Sequence, residues 1–473
     1  MSAPGSSATN DASLAPLAGR GDELRAVLAA VMPLVERALA REGQPCDPAT
    51  LDPRELRARL GLALGELPTP LHEVLAQLDA ILAATPSSSS WRFVNQLFGG
   101  REPVAVAAEL LASVGNVSMY TFKAAGAQVL VEDELTRHMA NKLGMPTAEG
   151  SFAPGGSLAN LVALLLARDA ALPTARDAGM RTGAVAIYAS SESHYSVPKS
   201  AAILGLGRTA LRRIEVDDAG RMRVDRLQDR LLADVRAGVR PLAIVATSGT
   251  TVRAAFDPLR ELSALARKHG AWLHVDGALG ASFVQSRAHA HRVDGIDLAD
   301  SVSWNPHKLM GVPLQSSLLL VRHRGALAAS LDQAADYLFQ THAAEYDPGH
   351  RSLQCGRRND ALKLWAAWKH LGDAGWDARI ERQMALARFA AERVAADPGF
   401  ELLEPPAAVN VCFCVRGVDS AAVCDRLYRS GRLSIGHGQV GERRALRLVC
   451  VNPDLGEAGI ERILDEIRDA VRT

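Results

Sequence analysis

The sequence has no net charge: 53 basic and 53 acidic side chains cancel over 473 residues. That balance removes any general electrostatic reason to expect nucleic acid or an anionic membrane as partner, and leaves room for a local basic pocket that takes a small anion. None of the six cysteines forms a C-x-x-C pair. No Cys/His cluster has zinc spacing, so no metal site is expected. Cys412 and Cys414 stand two apart in an apolar run, which on a strand places both on one face as buried free thiols. The longest apolar stretches, such as Leu161 to Ala167, fall far short of the roughly 18 residues a membrane span needs. Met1 to Leu17 is rich in Ser, Ala, Gly and Pro and lacks a basic stretch followed by an apolar core. It reads as a flexible tail rather than a signal peptide. A cytoplasmic protein is the expectation.

What is present is ordinary for a globular protein, with 48% hydrophobic and 22% charged residues, and the length calls for two or three substructures. From Asp22 to Ala84 the spacing is helical. Leu24, Val27, Leu28 and Val31 form one apolar stripe and Leu71, Val74, Leu75 and Leu78 another. A polar run, Thr85 to Ser90, closes that segment. Further on, short apolar runs alternate with helical spacing. Ala184–Tyr188 and Leu242–Ala246 read as strands, Pro258–His269 as a helix, and Ala271–Val275 as a strand ending at Asp276. Strand, helix and strand at this spacing make a βαβ unit, hence a mostly parallel sheet flanked by helices. Ser317–Val321 adds a strand. Beyond Asn359 come two helices, Ala361–His370 and Asp377–Ala396, strands at Val409–Val415 and Ala445–Val451, and a helix at Glu457–Val471. The expected organisation is a tail (1–18), an N-terminal helical segment (19–90), a large α/β domain (91–358) and a small C-terminal α+β domain (359–473).

Four segments share one chemical demand, that of holding a phosphorylated aromatic aldehyde. Pro154-Gly155-Gly156-Ser157 opens a helical run from Leu158 to Ala170. Glycines let backbone N–H groups approach an anion, and a helix N-terminus adds partial positive charge. Taken alone, a plain loop explains the same residues. Asp276 ends a strand, where a carboxylate can hold a pyridine nitrogen protonated, although a capping or solvated Asp is the default for one acid. Lys308, in Asn305-Pro306-His307-Lys308, can form an imine if its surroundings are partly dry, whereas most lysines are surface charges. His194, just after the strand Ala184–Tyr188, offers a flat ring to stack on an aromatic ligand or is simply exposed.

In this order, Gly-Gly-Ser (155–157), Ser-His-Tyr-Ser (193–196), Ala-Thr-Ser-Gly-Thr-Thr (246–251), His-Val-Asp-Gly-Ala (274–278) and Asn-Pro-His-Lys (305–308) resemble the group II pyridoxal-phosphate decarboxylases. That family includes the glutamate, cysteine-sulfinate, aspartate and aromatic amino-acid decarboxylases. The resemblance runs from about Phe93 to the C-terminus, and the N-terminal helices match only in character. It implies pyridoxal 5'-phosphate as cofactor, with Lys308 as Schiff-base lysine and Asp276 as partner of the ring nitrogen. His194 would stack on one ring face and Ala278 pack on the other. Gly156, Ser157, Asn305 and His307 match positions around the phosphate, and Thr247 lies beside the cofactor. The implied fold is the α/β, aspartate-aminotransferase type (fold type I), acting as a homodimer with the active site at the subunit interface.

The segment Glu345 to Arg357 looks like that family's catalytic lid, with Tyr346 at the proton-donor position. Phe93-Val94-Asn95-Gln96-Leu97 resembles the Phe-Phe-Asn-Gln-Leu stretch of the acidic-substrate branch, in which the glutamine contacts the substrate's carboxylate. Arg447 matches an arginine that binds a substrate carboxylate, although aromatic-substrate relatives carry one too. Phe98 and Ser118 look more like cysteine-sulfinate than glutamate decarboxylase, and a bulky Phe98 shortens the pocket. The implied reaction is decarboxylation of cysteine sulfinate or aspartate, less so glutamate, to the amine and carbon dioxide. An aminotransferase or Cα-side-chain lyase on the same fold, or a cofactor-bound interaction protein without activity, are the alternatives. Departures from the pattern are Ser90-Trp91 for His-Pro, Val94 for an aromatic, Gly277 for alanine and Leu279 for an aromatic.

Overall fold

The structure, a computed structural model, describes residues 20–46, 52–180, 183–333, 339 and 343–472; the tail expected at 1–18 lies outside them. Two compact units divide between Ser87 and Ser88.

The first unit contains helices Arg20–Ala40, Pro53–Leu60 and Leu71–Ala83. Asp52 caps the second by accepting from Arg54 N at 2.7 Å, and Asp79 ties the third to the first through Arg37 and Arg41, each at 2.8 Å. Helical spacing is therefore realised, but the apolar stripes are only partly covered. Leu34 is buried, whereas Leu24, Leu71, Val74 and Leu78 stay exposed.

The second unit is built on a seven-stranded sheet. Its strands are β1 (Glu149–Phe152), β2 (Val185–Ser190), β3 (Leu211–Ile214), β4 (Arg240–Thr247), β5 (Trp272–Asp276), β6 (Ser301–Trp304) and β7 (Leu318–Val321), in the order β1-β7-β6-β5-β4-β2-β3. Neighbours from β3 to β6 pair parallel, while β7 runs antiparallel to both β6 and β1. Only β7 is thus reversed. Every residue of β2, β5 and β6 is buried, the signature of parallel strands covered on both faces. The expected βαβ unit is present as β4, helix Leu259–His269 and β5.

Strand register aligns the ends of the central strands. Thr247 lies opposite Asp276, and Asp276 opposite Ser303. The carboxyl ends of β4, β5 and β6 therefore finish side by side, and the connections after β1 and β2 leave at the same edge. Ligands of open α/β sheets bind there.

A helical run, Ala361–Ala396, is broken by Gly372 at φ +62°, so the two expected helices meet at a kink. It leads to a four-stranded antiparallel sheet, β10-β11-β9-β8, from β8 (Phe400–Leu402), β9 (Asn410–Val415), β10 (Gly436–Val440) and β11 (Arg443–Val449). Val411, Phe413 and Leu446 face the main core, while Cys412, Cys414 and Ala445 form a separate cluster on the other face. The period-2 reading of the two cysteines holds, and both are buried free thiols. No helix among the described residues is long and apolar enough to cross a membrane.

Candidate active site

The sheet edge gathers most of the predicted residues. β1 runs into Gly155, whose φ of +94° favours glycine, and then the 16-residue helix Gly156–Ala171. A Cβ on Gly156 would lie 2.6 Å from Asn305 Nδ2, so any side chain here must displace the Asn305 amide. Asn305 comes from the segment after β6; its Oδ1 accepts from Ser317 Oγ, and its N–H donates to Ala278 O at 3.2 Å. The same segment then turns, Lys308 N donating to Asn305 O at 3.0 Å. Gly156, Ala278, Asn305 and Lys308 are thereby brought together. Ser157 follows in the first turn of the helix.

Asp276 is buried at the end of β5. Its Oδ1 accepts from Ala278 N at 3.2 Å and its Oδ2 from Asn160 Nδ2 at 2.7 Å. Burial alone would raise its pKa, but the charge of Lys308 and the Asn160 bond, among others, hold the carboxyl below its usual range. Lys308 moves the opposite way. Burial pulls it below the usual lysine range, Asp276 opposes that shift, and Arg447 adds to it. His194 sits beside this pair. Burial lowers its pKa, while Asp276 pulls up and Lys308 down. His307 is also buried, and its pKa falls to about 4. Its Nδ1 lies 2.5 Å from Ser316 O, which only accepts, so the ring donates there and serves as a structural strut.

Thr247 closes the group at the end of β4. Asp257, on the following connection, accepts from Thr247 N and Met222 N, each at 2.7 Å. Thr247 Oγ1 is buried with no hydrogen-bond partner among the described residues. A ligand oxygen there would satisfy it.

Arg447, on β11, reaches the edge from the small sheet. It donates to Thr251 O at 2.7 Å and to Asn95 O, while its Nε is buried without a partner. Among the described residues it has no acidic partner. The stretch carrying Gln96 and Phe98 runs beside it, as Val94 N donates to Ser434 O at 2.9 Å and Val449 N to Val94 O at 3.1 Å. Gln96 is exposed, and Phe98 is half-buried, its ring 5.7 Å from that of Phe93.

Tyr346 and Ser118 belong to a second group. Tyr346 lies on a short 3₁₀ turn with its ring centre 6.2 Å from that of Phe122, and Asp347 accepts from Phe122 N at 2.7 Å. Ser118 meets Arg357 N at 3.4 Å. Among the described residues neither Tyr346 nor Ser118 makes a hydrogen bond to the Lys308 group.

Sequence reasoning missed Asn160, Asp257 and Ser303. Each is a polar side chain buried at the sheet edge, and none belongs to a motif with a chemical reading of its own. It also left open why alanine gives way to Gly277. A Cβ there would meet that of Ala281 at 2.8 Å and Ser303 O at 3.0 Å.

The arrangement fits pyridoxal phosphate. It offers a glycine cradle at a helix N-terminus, an anionic carboxylate, a lysine with lowered basicity and an unsatisfied hydroxyl. Residues 53–416 match the family model described as the pyridoxal-dependent decarboxylase conserved domain. Cysteine sulfinic acid decarboxylase of Mus musculus is 37% identical over 439 residues, covering 88% of this chain and 89% of that protein. Acidic amino acid decarboxylase GADL1 of Bos taurus is 34% identical, covering 88% of this chain and 84% of that protein. The crystal structure of mouse CSAD superposes with a TM-score of 0.90 at 34% identity, covering 95% of this chain and 99% of that one. The chain belongs to the pyridoxal-dependent decarboxylase family and is a pyridoxal-phosphate-dependent amino-acid decarboxylase.

Proposed function

We propose that the enzyme decarboxylates a short acidic L-amino acid, cysteine sulfinate or aspartate in preference to glutamate. The observation that carries carboxylate binding is Arg447, a buried guanidinium with an unpartnered Nε and, among the described residues, no acidic partner. A buried cation left unpaired is costly, and a carboxylate supplied by the substrate offsets that cost. Every amino acid has such a group, so the preference for an acidic side chain rests on the relatives, which are named for cysteine sulfinic acid and acidic amino acids. Gln96 beside Arg447 agrees with it, and Phe98 limits substrate length.

The bound cofactor supplies an electron sink for the bond that breaks at the substrate's Cα. The chain's own residues do the rest. Lys308 Nζ would hold the cofactor's aldehyde carbon, Asp276 would keep a positive charge on the ring nitrogen, and His194 and Ala278 would flank the ring. Gly156, Ser157, Asn305 and the strut His307 would form the phosphate end, with Thr247 Oγ1 as a further donor. Arg447 orients the substrate. The bond from Cα to the carboxylate breaks, carbon dioxide leaves, and the Tyr346 hydroxyl returns a proton to Cα.

In this reading two copies share each site, Tyr346 of one copy serving Lys308 of the other, with Ser118 on the same side as Tyr346. Two observations support it. Tyr346 and Ser118 are bonded apart from the Lys308 group, and Val106, Leu110, Leu111 and Val114 expose an apolar face on helix Pro103–Gly115 that a second copy would cover. Substitution of Phe98 tests the substrate length. Phe98→Ala is expected to raise kcat/KM for glutamate relative to aspartate, and an unchanged ratio would remove Phe98 from the specificity argument.

A further inference from the structure

Asn160 lies on the sheet-facing side of helix Gly156–Ala171 and is 1% exposed. Its amide makes four hydrogen bonds, one for each donor and acceptor position it has. Chemistry fixes their direction. The Asp276 carboxylate only accepts, so the amide nitrogen faces Oδ2 at 2.7 Å and the amide oxygen faces the other way. That oxygen accepts from Ser303 Oγ at 2.9 Å and meets His274 Nε2 at 3.0 Å. His274 therefore carries its proton on Nε2. Its Nδ1 then accepts from Ser301 Oγ at 2.9 Å, which itself accepts from Trp272 Nε1 at 2.8 Å. From Trp272 through Ser301, His274 and Asn160, every donor points towards Asp276.

The second N–H of Asn160 donates to Ser196 Oγ at 3.0 Å. Having accepted there, Ser196 gives its own proton to His194 Nδ1 at 2.8 Å, and the Ser196 N–H faces the same nitrogen at 3.3 Å. The proton of neutral His194 is thus on Nε2, the nitrogen turned away from Ser196.

We propose that Asn160 is a positioning residue that locks Asp276 as an acceptor-only carboxylate and fixes His194 and His274 as Nε2–H tautomers. One amide in the helix that opens at Gly156 thereby sets the proton positions on His194, read as a cofactor contact, and on the buried His274. The consequence for the cofactor rests on the reading of this edge as its site, whereas the tautomers are properties of the chain alone. Leucine has the same number and branching of side-chain heavy atoms, so shape alone does not call for an amide at this position.

Ring nitrogen chemical shifts of 15N-histidine-labelled wild-type protein test it, with His194→Gln and His274→Gln for assignment. The expected result at pH 7 is two neutral Nε2–H rings, before and after cofactor loading. Asn160→Leu is expected to mix the tautomers of both rings and to raise the cofactor dissociation constant roughly 10- to 100-fold, the loss of a hydrogen bond to a charged group. Ser196→Ala is expected to release His194 alone. Either ring found as Nδ1–H or doubly protonated in the wild type overturns the proposal, as does Asn160→Leu with unchanged rings and cofactor affinity. If Asn160→Leu does not fold, the wild-type and Ser196→Ala spectra decide. Failure of the cofactor-site reading is distinct, since Lys308→Ala would then keep the visible band of the bound cofactor while the tautomers stood.

Discussion

Arg357 forks onto Glu132 through two hydrogen bonds of 2.7 and 2.9 Å, with both side chains buried. The pair fastens the far end of the segment that carries Tyr346 to helix Ala127–Lys142, and Arg357 also donates to Met119 O at 2.9 Å. Removing one member leaves a buried charge uncompensated. Glu132→Ala is expected to lower stability by about 3–5 kcal/mol, measured by denaturant unfolding. It should depress kcat more than it raises KM if Tyr346 acts in proton return. A loss below roughly 1 kcal/mol would show a solvated pair.

The Gly156 cradle gives a second expectation. A methyl group at 2.6 Å from Asn305 Nδ2 must displace an amide held by Ser317. Gly156→Ala is expected to cost about 1–3 kcal/mol in stability and to weaken cofactor binding further. Titration of the apoprotein with pyridoxal phosphate measures it, and wild-type affinity would place the phosphate elsewhere.

Stability should depend on pH through the buried histidines. Burial lowers both His274 and His307 to about 4, below the unfolded value of about 6.5. Between these values the unfolded chain binds more protons, so stability rises with pH across that window and is lost as pH falls towards 4. Each ring contributes roughly 3 kcal/mol at the acid end. Asp257 opposes them, because burial raises its carboxyl to about 7. Stability should fall as it ionises, but one carboxyl does not cancel two rings. Denaturant midpoints of the apoprotein from pH 4 to 6.5 should increase; a flat or falling series would contradict the neutral rings.

Arg447 should be sensitive to geometry as well as charge. Arg447→Met is expected to cut kcat/KM by about 10- to 100-fold through loss of charge-assisted bonds. Arg447→Lys should recover only part of this, since an ammonium cannot fork. Full activity of Arg447→Met would remove it from substrate binding.

The parts of the site legible in the sequence are those whose backbone setting is local. Apolar runs announce β2, β4, β5 and β7, and the residues just past β2 and at the end of β5 become candidates for that reason, whereas Thr247 at the end of β4 enters through the family resemblance. β6, Ser301–Trp304, is not visible in the same way, because half of it is serine. Those hydroxyls satisfy His274, Trp272 and Asn160, which is a tertiary reason for a polar strand. Asn160 is hidden likewise, as one polar position in an otherwise helical run, and Glu132 and Arg357 are 225 positions apart. The N-terminal stripes are legible as helices, but periodicity says which side is apolar and not whether anything covers it.

Carbon dioxide release from the purified, cofactor-loaded enzyme is the most direct test, run against cysteine sulfinate, aspartate, glutamate, one aromatic and one basic amino acid. The expected result is release from cysteine sulfinate or aspartate, with one amine per carbon dioxide, and much slower release from glutamate. Turnover of the aromatic or basic amino acid, or of glutamate far above the shorter acids, would contradict the short acidic pocket. Silence on all five would contradict the proposed substrate class.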